Sequence, residues 1–501
     1  MKERMFLARD AYQRAEPTAG YSLLPFRFMR LDDRTIVVNE AGEHLYLDQA
    51  SFSAFVAHRL EVGSEQYNDL KAAHFLTDSD AATPVAMLAT KYRTKRSFLA
   101  GFTRLHIFVV TLRCDHSCHY CQVSRVSMNR SRYDMSLETA DRALDLVFRS
   151  PAERLKIEFQ GGEPLLNLEV IRHVVAEAEQ RAAHSGRKVD FVITTNLSFL
   201  TDEILEFVRE HRIAVSTSLD GPAFIHNANR PRPGNDAYES TIRGITRVRD
   251  AIGHGSVSAL MTTTRLSLDH PLEIVEEFVA QGFSHIFLRP LSPYGFAVRT
   301  QTKTSYDLDA FLAFYKSALG RIIELNRSGR FMVEIYAQIL LTKILTPYAT
   351  GYVDLRSPAG AGIGVAVYNY DGDVYASDES RMLAEMGDTS FRLGNVLTNS
   401  YEEIFGGPTL QRLIRASCVE SLPGCSECAF NVWCGSDPVE NHATQGDIIG
   451  HRPTSRFCGR NMEIIKHLLA LYHGPDPFIR ELFWSWINNV PVDDLLPVLP
   501  E

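Results

Sequence analysis

The chain has 501 residues, 45% hydrophobic and 23% charged, with a formal net charge of -9. That composition suits packed cores and excludes a disordered, collagen-like or coiled-coil chain. No apolar run reaches the ~18 residues of a membrane-spanning helix, and the acidic balance argues against a general nucleic-acid coat. Met1-Lys2-Glu3-Arg4-Met5 leads into polar sequence with Asp10, Arg14 and Glu16 rather than an apolar signal core. A cytoplasmic protein is therefore expected, with neither membrane nor nucleic acid as partner.

In chain order, Phe26 to Leu31 alternates as a strand, Asp32-Asp33 turns, and Ile36-Val37-Val38 follows before the Ala41-Gly42 turn into His44 to Leu47. Asp48 caps a helix carrying Phe52, Phe55, Val56 and Leu60 at helical spacing, and a second short helix is expected from Tyr67 to Phe75. Three strands followed by helices fit a small winged-helix-like domain over residues 1–95, with Ser79 to Thr94 read as a polar linker.

Residues 96–320 alternate strand and helix. Strands are expected at Leu105–Leu112, Lys156–Gln160, Asp190–Thr195, Ala214–Leu219, Val257–Thr262 and His285–Arg289. Six such units predict an α/β fold with a parallel sheet or partial (β/α)6 TIM barrel, its functional residues at the C-terminal strand ends. Helices are expected over 305–350, a hairpin over Val365–Val374 turned at Asp371-Gly372, and a cysteine-rich loop over 418–460. A helix from Met462 to Tyr472 opens a C-terminal helical extension over 461–501.

The eight cysteines fall into two groups, Cys114, Cys118 and Cys121, then Cys418, Cys425, Cys428, Cys434 and Cys458. In a long chain without a signal segment, such clustering points to metal or iron–sulfur ligation rather than disulfides. The first group, C-x3-C-x2-C, follows the first barrel strand. Three thiolates can hold three irons of a cubane cluster and leave the fourth iron open. Structural zinc prefers four ligands, which His116 or His119 would have to complete.

These residues, with Tyr120 before the last cysteine, resemble the signature of the radical S-adenosylmethionine (SAM) superfamily. The resemblance implies a [4Fe-4S] cluster whose open iron takes SAM, and reductive cleavage of SAM to a 5'-deoxyadenosyl radical. Gly161-Gly162-Glu163-Pro164 resembles the segment holding the SAM amino group. Thr195 and Asn196 after the third strand, and Ser218 and Asp220 after the fourth, resemble the polar ends that reach its carboxylate and ribose. Arg230 and Arg289 are carboxylate or substrate contacts or structural ion pairs.

In the second group, Cys425, Cys428, Cys434 and Cys458 suffice to close another [4Fe-4S] cluster, or a zinc ribbon. Their spacing resembles the SPASM extension of radical SAM peptide-modifying enzymes, which implies an iron–sulfur domain over 321–460. The cysteines that pattern carries near Ala359 to Gly362 and at Ser377 and Pro438 are absent, so the first auxiliary cluster is expected to be lost and one auxiliary [4Fe-4S] cluster kept. Cys418 is left over, for a remnant site or as a thiol outside any cluster. Asp378 stands where sulfatase-maturing relatives carry a general base. Tyr368 and Tyr370 line the same cavity or pack on the hairpin.

Leu24-Pro25-Phe26-Arg27-Phe28, the turn Val38 to Glu43, and Tyr368 to Asp373 with Asp378-Glu379 and Arg381-Met382 resemble the maturase of the His-Xaa-Ser system. That resemblance implies an enzyme that modifies a ribosomally made precursor peptide by cross-linking, oxidation or epimerisation. It also implies a reduced flavodoxin or ferredoxin-type electron donor, and an N-terminal unit that binds a leader peptide by strand addition. The alternatives are maturation of a folded protein, action on a small molecule, and a catalytically inactive peptide-binding partner.

Overall fold

The computed structural model describes residues 20–78, 82–121, 128–300 and 304–495. The reading of residues 1–16, positions 79–81 of the expected linker and the last residues of the C-terminal extension lie outside the described residues. The chain divides into two compact units: residues 1–97, 343–349 and 423–433 form the smaller, and the remainder forms the larger.

In the smaller unit, β1 (Ser22–Leu23) pairs with β5 (Leu76–Thr77), and an antiparallel sheet runs in the order β2 (Phe26–Leu31), β3 (Arg34–Asn39), β4 (His44–Asp48). The central strand β3 carries the apolar run Ile36-Val37-Val38, and all three are buried. Asp48 accepts the Ser51 N–H at 2.7 Å and starts the helix Gln49–Val56; Ser64 does the same for Glu65–Ala72. Tyr21, Val37, Leu47, Phe55, Tyr67, Leu70 and Phe75 form the core.

The segment expected as a linker is instead a helix, Thr83–Lys95, with a proline in its first turn. Its alanines, Met87 and Leu88 are good helix formers, and Leu88 buries against Leu24 and Ala41. The helix ends on Lys95, whose ammonium donates to the carbonyls of Lys343 (2.7 Å) and Thr346 (2.9 Å). Polar composition described its outer face and missed the single apolar anchor.

The larger unit is α/β. Its eight-stranded sheet runs in the order β10 (Val257–Leu260), β9 (Ala214–Ser218), β8 (Lys188–Thr194), β7 (Arg154–Gly161), β6 (Leu105–Thr111), β13 (Val365–Tyr368), β14 (Asp373–Tyr375), β15 (Arg392–Asn395). The strands from β10 to β13 are parallel, and the hairpin adds the antiparallel pairs. β6 reads Leu-His-Ile-Phe-Val-Val-Thr, and all but its first residue are buried, as expected of a parallel strand covered on both faces. Helices Leu137–Val147, Leu168–Ser185 and Asp202–Glu210 return the chain between strands. Gly186, at φ +68°, ends the second of them in the left-handed conformation that glycine adopts without strain.

The expected sixth strand shortens to β11 (His285–Ile286), which pairs with β12 (Val333–Glu334) rather than with β10. The cause is local. The buried carboxylate of Glu334 takes the Leu288 N–H at 3.2 Å, and Pro290 has no N–H to offer. Arg289 keeps one link to the segment that follows β10, accepting the Thr263 N–H on its carbonyl at 2.9 Å. The 418–460 region is also less loop-like than expected: Pro438–Gln445 is a helix, and Cys458 lies in the first turn of the helix Arg456–Tyr472. Among the described residues, no helix is long and apolar enough to cross a membrane.

Candidate active site

The three cysteines at 114–121 leave the C-terminal end of β6 on a loop held by backbone bonds. Ser117 N–H donates to Pro231 O at 2.7 Å and His119 N–H to Asn229 O at 3.1 Å. From the other side, Gly162 and Glu163 donate to the carbonyls of Thr111 (2.8 Å) and Arg113 (2.7 Å). A Cβ on Gly161 would stand 2.3 Å from Thr111 O, and one on Gly162 would stand 2.2 Å from Arg113 O. The glycines are thus required because two strand ends meet backbone to backbone, and it is the cysteine loop they admit.

Glu163 closes this junction. Its fully buried carboxylate accepts the Leu165 N–H (3.1 Å), the Thr195 hydroxyl (2.6 Å) and the Asn196 N–H (2.8 Å), joining the ends of β7 and β8. Burial pushes its pKa up to about 7 against the pull of those donors. The Asn196 side-chain amide reaches Asp115 Oδ1 at 2.9 Å, His116 Nδ1 at 2.8 Å and Cys114 Sγ at 3.9 Å. Pro164 is buried and begins the short turn that follows.

A second buried group lies below the loop. Tyr120 donates its hydroxyl to Asp220 Oδ2 at 2.5 Å, Arg230 Nε donates to the same oxygen at 3.0 Å, and Thr262 N–H reaches Oδ1 at 3.2 Å. The Arg230 guanidinium stands 5.2 Å over the Tyr120 ring. Burial pushes the Asp220 carboxyl up, but Arg230 and His226 outweigh it and hold the pKa below the usual range. Asp220 and Arg230 therefore form a buried ion pair that fixes Tyr120. Ser218, at the end of β9, is half-buried.

The ligating atoms of Cys114, Asp115 and His116 lie within 4.8 Å of one another. His116 Nδ1 is held by Asp115 at 2.9 Å as well as by Asn196, and these contacts keep the Asp115 pKa at about 2 although burial pushes it up. With Asp115 and His116 engaged, the thiols of Cys114, Cys118 and Cys121 remain as the donor set. Burial raises the pKa of Cys114 and pushes that of Cys118 up to about 12, so thiolates here need a bound cation to offset their charge. Three soft donors on one braced loop fit an iron–sulfur cluster.

Elsewhere in the larger unit, an open cavity of about 580 Å³ is lined by Arg289, Tyr294, Tyr336, Tyr352 and Arg460 with the carboxylates of Asp354, Glu379, Asp437 and Glu440. A second, of about 300 Å³, shares Asp354, Glu379 and Asp437 and is bounded by Ala359, Gly360, Ala361, Ser377 and Pro438, the stretch where cysteines were expected and are absent. Asp378 begins the helix Asp378–Glu385, and its carboxylate accepts from the buried Arg381 Nε at 3.2 Å; its neighbour Glu379 is the one that lines both cavities. Tyr368 is fully buried, with its hydroxyl 3.1 Å from His106 Nδ1, and Tyr370 packs edge-on to Tyr133.

None of the eight cysteines forms a disulfide. Cys425 and Cys428 belong to the smaller unit, where Cys428 N–H donates to Cys425 O at 3.1 Å. Cys434 and Cys458 belong to the larger; Asn461 Nδ2 lies 3.8 Å from Cys434 Sγ, and Ser455 caps the turn that carries Cys458. Cys418 Sγ contacts Ile414 O at 3.3 Å.

Sequence reasoning missed Arg113, whose guanidinium pairs with Asp134 at 2.6 Å beside the cysteine loop, and the lining residues Asp354, Glu379, Asp437, Glu440 and Arg460. A signal was available for one pair: Asp437-Pro438-Val439-Glu440 is a helix-start pattern, and Asp437 does cap the helix from Pro438.

A profile of the Radical SAM superfamily matches residues 108–287. The chain is 30% identical over 191 residues to an uncharacterized protein of Methanothermobacter thermautotrophicus, a match covering 38% of this chain and 68% of that one. It is 23% identical over 359 residues to the serine-type anaerobic sulfatase-maturating enzyme of Bacteroides thetaiotaomicron, covering 66% and 80% of the two chains. Among solved structures, native anSMEcpe with bound AdoMet and Cp18Cys peptide is similar in fold, with a TM-score of 0.62 and 18% identity over 77% of this chain and all of that one.

Proposed function

Because the chain belongs to the radical SAM superfamily, we propose that it is a maturase that abstracts hydrogen from a ribosomally made precursor peptide and leaves a cross-link, an oxidised residue or an epimer. It is an oxidoreductase-type enzyme whose cofactors are SAM and a SAM-binding [4Fe-4S] cluster. When bound, these supply the electron and the 5'-deoxyadenosyl radical that takes the hydrogen atom. The observation that carries the reading is the cysteine loop clamped between Gly161-Gly162-Glu163 and the 229–231 backbone.

The chain's own residues have distinct tasks. Cys114, Cys118 and Cys121 hold the cluster. Glu163, Thr195 and Asn196 present the ends of β7 and β8 to SAM, with Ser218 alongside, while Tyr120, Asp220 and Arg230 keep the loop from shifting. Asp378, its carboxylate held by Arg381, would take the proton released from a substrate radical whose electron would pass to a bound auxiliary iron–sulfur cluster.

The peptide substrate is supported by likeness to an anaerobic sulfatase-maturating enzyme and to a fold determined with a peptide bound. In the smaller unit, β2 is an edge strand with Phe28 exposed, as strand addition by a leader peptide requires. On this reading residues 1–95 of the smaller unit are the winged-helix-like recognition domain. Cys425, Cys428, Cys434 and Cys458 hold one auxiliary cluster in a SPASM-like domain, and the subgroup is that of the His-Xaa-Ser maturases.

The test is iron and sulfide content after anaerobic reconstitution, followed by SAM cleavage with and without peptides encoded beside the gene. About eight irons per chain, falling to about four when the three loop cysteines become alanine, is the expected result. Modification of a folded sulfatase-type protein but of no short peptide would replace the precursor-peptide reading.

A further inference from the structure

The two cavities that share Asp354, Glu379 and Asp437 have no part in holding the cysteine loop, and their lining has an unusual balance. Four carboxylates face the guanidiniums of Arg289 and Arg460, and Arg456 acts on Glu440 from its other side, so the acids still outnumber the bases. Neighbouring carboxylates outside the cavities have close partners, Arg381 for Asp378 and His442 for Asp388. Among the described residues, no close ion pair joins any of the four cavity carboxylates to a basic group.

Much of the remaining lining is aromatic. Phe287 and Tyr336 stack with ring centroids 5.8 Å apart, and Tyr352 stands edge-on to both, at 6.2 and 5.9 Å. Tyr294, only 2% exposed, lines the same space with a hydroxyl that has no hydrogen-bond partner. A buried hydroxyl left unpaired carries a penalty that a ligand can remove.

A single metal ion does not fit. Among the described residues, only Cys114, Asp115 and His116 bring three ligand atoms within 4.8 Å of one another. The carboxylates are spread around the chamber, as an extended cation needs, and ring faces favour an organic cation over a hydrated ion. Burial raises the pKa of Asp437, Glu440 and Glu379; neighbouring acids add to it at Asp437 and Glu379, while Arg460 and Arg456 oppose it at Glu440.

We propose that this chamber receives a basic side chain of the polypeptide substrate, an ammonium, guanidinium or imidazolium held between the carboxylates and the rings, an assignment that rests on the peptide reading above. The Tyr294 hydroxyl completes its coordination.

The experiment uses the full, anaerobically reconstituted chain and Nα-acetyl methylamides of lysine, arginine, histidine, norleucine, glutamine and glutamate as probes, with affinities from ligand-observed NMR. At least one basic probe is expected to bind tenfold or more tightly than norleucine, and Asp354→Asn with Glu440→Gln should remove that margin at unchanged iron content. The wild-type series decides the matter even if the double variant folds poorly. Equal binding of norleucine or glutamine, or tightest binding of glutamate, overturns the proposal. Displacement of the lysine probe by one equivalent of SAM reassigns the chamber to the cofactor, and n-butylamine binding as tightly as the lysine probe reassigns it to a free amine. Cation preference without turnover of any peptide overturns the peptide reading alone; turnover without cation preference overturns the chamber assignment alone.

Discussion

Two acidic regions of the larger unit are built on opposite terms. At the cysteine loop, each carboxylate has its donors: Glu163 takes three, Asp220 is paired with Arg230 and Tyr120, and Asp115 is held by His116 and Asn196. In the cavity lined by Asp354, Glu379, Asp437 and Glu440, carboxylates face one another and a tyrosine hydroxyl goes without a partner. The first is hydrogen-bonded nearly throughout, with Asp115 Oδ2 left without a hydrogen-bond partner, and fixes positions; the second gathers like charges, of which Asp437 takes two backbone N–H groups, around the unpaired Tyr294 hydroxyl.

The largest expected difference between them is functional. Replacing Cys114, Cys118 and Cys121 together by alanine should remove about four irons and abolish SAM cleavage, which iron analysis and product detection would register. Asp220→Ala strands the buried Arg230 and should destabilise the chain by about 3–5 kcal/mol in denaturant unfolding. A loss under 1 kcal/mol would mean that the pair is not what holds Tyr120.

Gly162→Ala probes the backbone junction. With its Cβ 2.2 Å from Arg113 O, it should lower stability by about 3 kcal/mol and depress iron uptake, while alanine at the open position Gly186 should leave iron uptake intact.

Glu163 gives the pH dependence. Its pKa is about 7 in the fold against an ordinary 4.5, so between those values the folded chain binds more protons than the unfolded one. Stability from this group is therefore greatest below pH 4.5 and is lost as pH rises through 7, by roughly 3 kcal/mol in total. Glu163→Gln should flatten that decline in melting temperature measured from pH 5 to 8.

The smallest effect is expected in the cavity. Glu440→Gln removes a like charge beside Asp437 but also the charge that Arg460 and Arg456 attract, so the opposing effects should leave stability changed by no more than about 1 kcal/mol. A large destabilisation would put Glu440 with the hydrogen-bonded groups of the first region instead.

The legibility of the two regions differs for a physical reason. Cys114-x3-Cys118-x2-Cys121 and Gly161-Gly162-Glu163-Pro164 are short local patterns because each is one loop after one strand, and their chemistry is carried by residue type. The β-strands from Leu105 to Leu260 were legible for a similar local cause: β6 is largely apolar because both its faces are covered, and the strands from β7 to β10 alternate buried with more exposed residues. The cavity acids come from positions 354, 379, 437 and 440, each unremarkable in its own segment.

By itself, then, the sequence determined the α/β alternation, the three-thiol loop and the strand-end motifs that brace it. Tertiary structure alone decided that the glycines admit a neighbouring backbone, that Asp220 and Arg230 are spent on each other, and that Glu334 withdraws Leu288 from the sixth strand. It also decided that Glu379, rather than Asp378, looks into the cavities. Covalent spacing sets which ligand atoms a loop can offer, whereas the partner of a buried charge is set by whichever distant segments the fold packs around it.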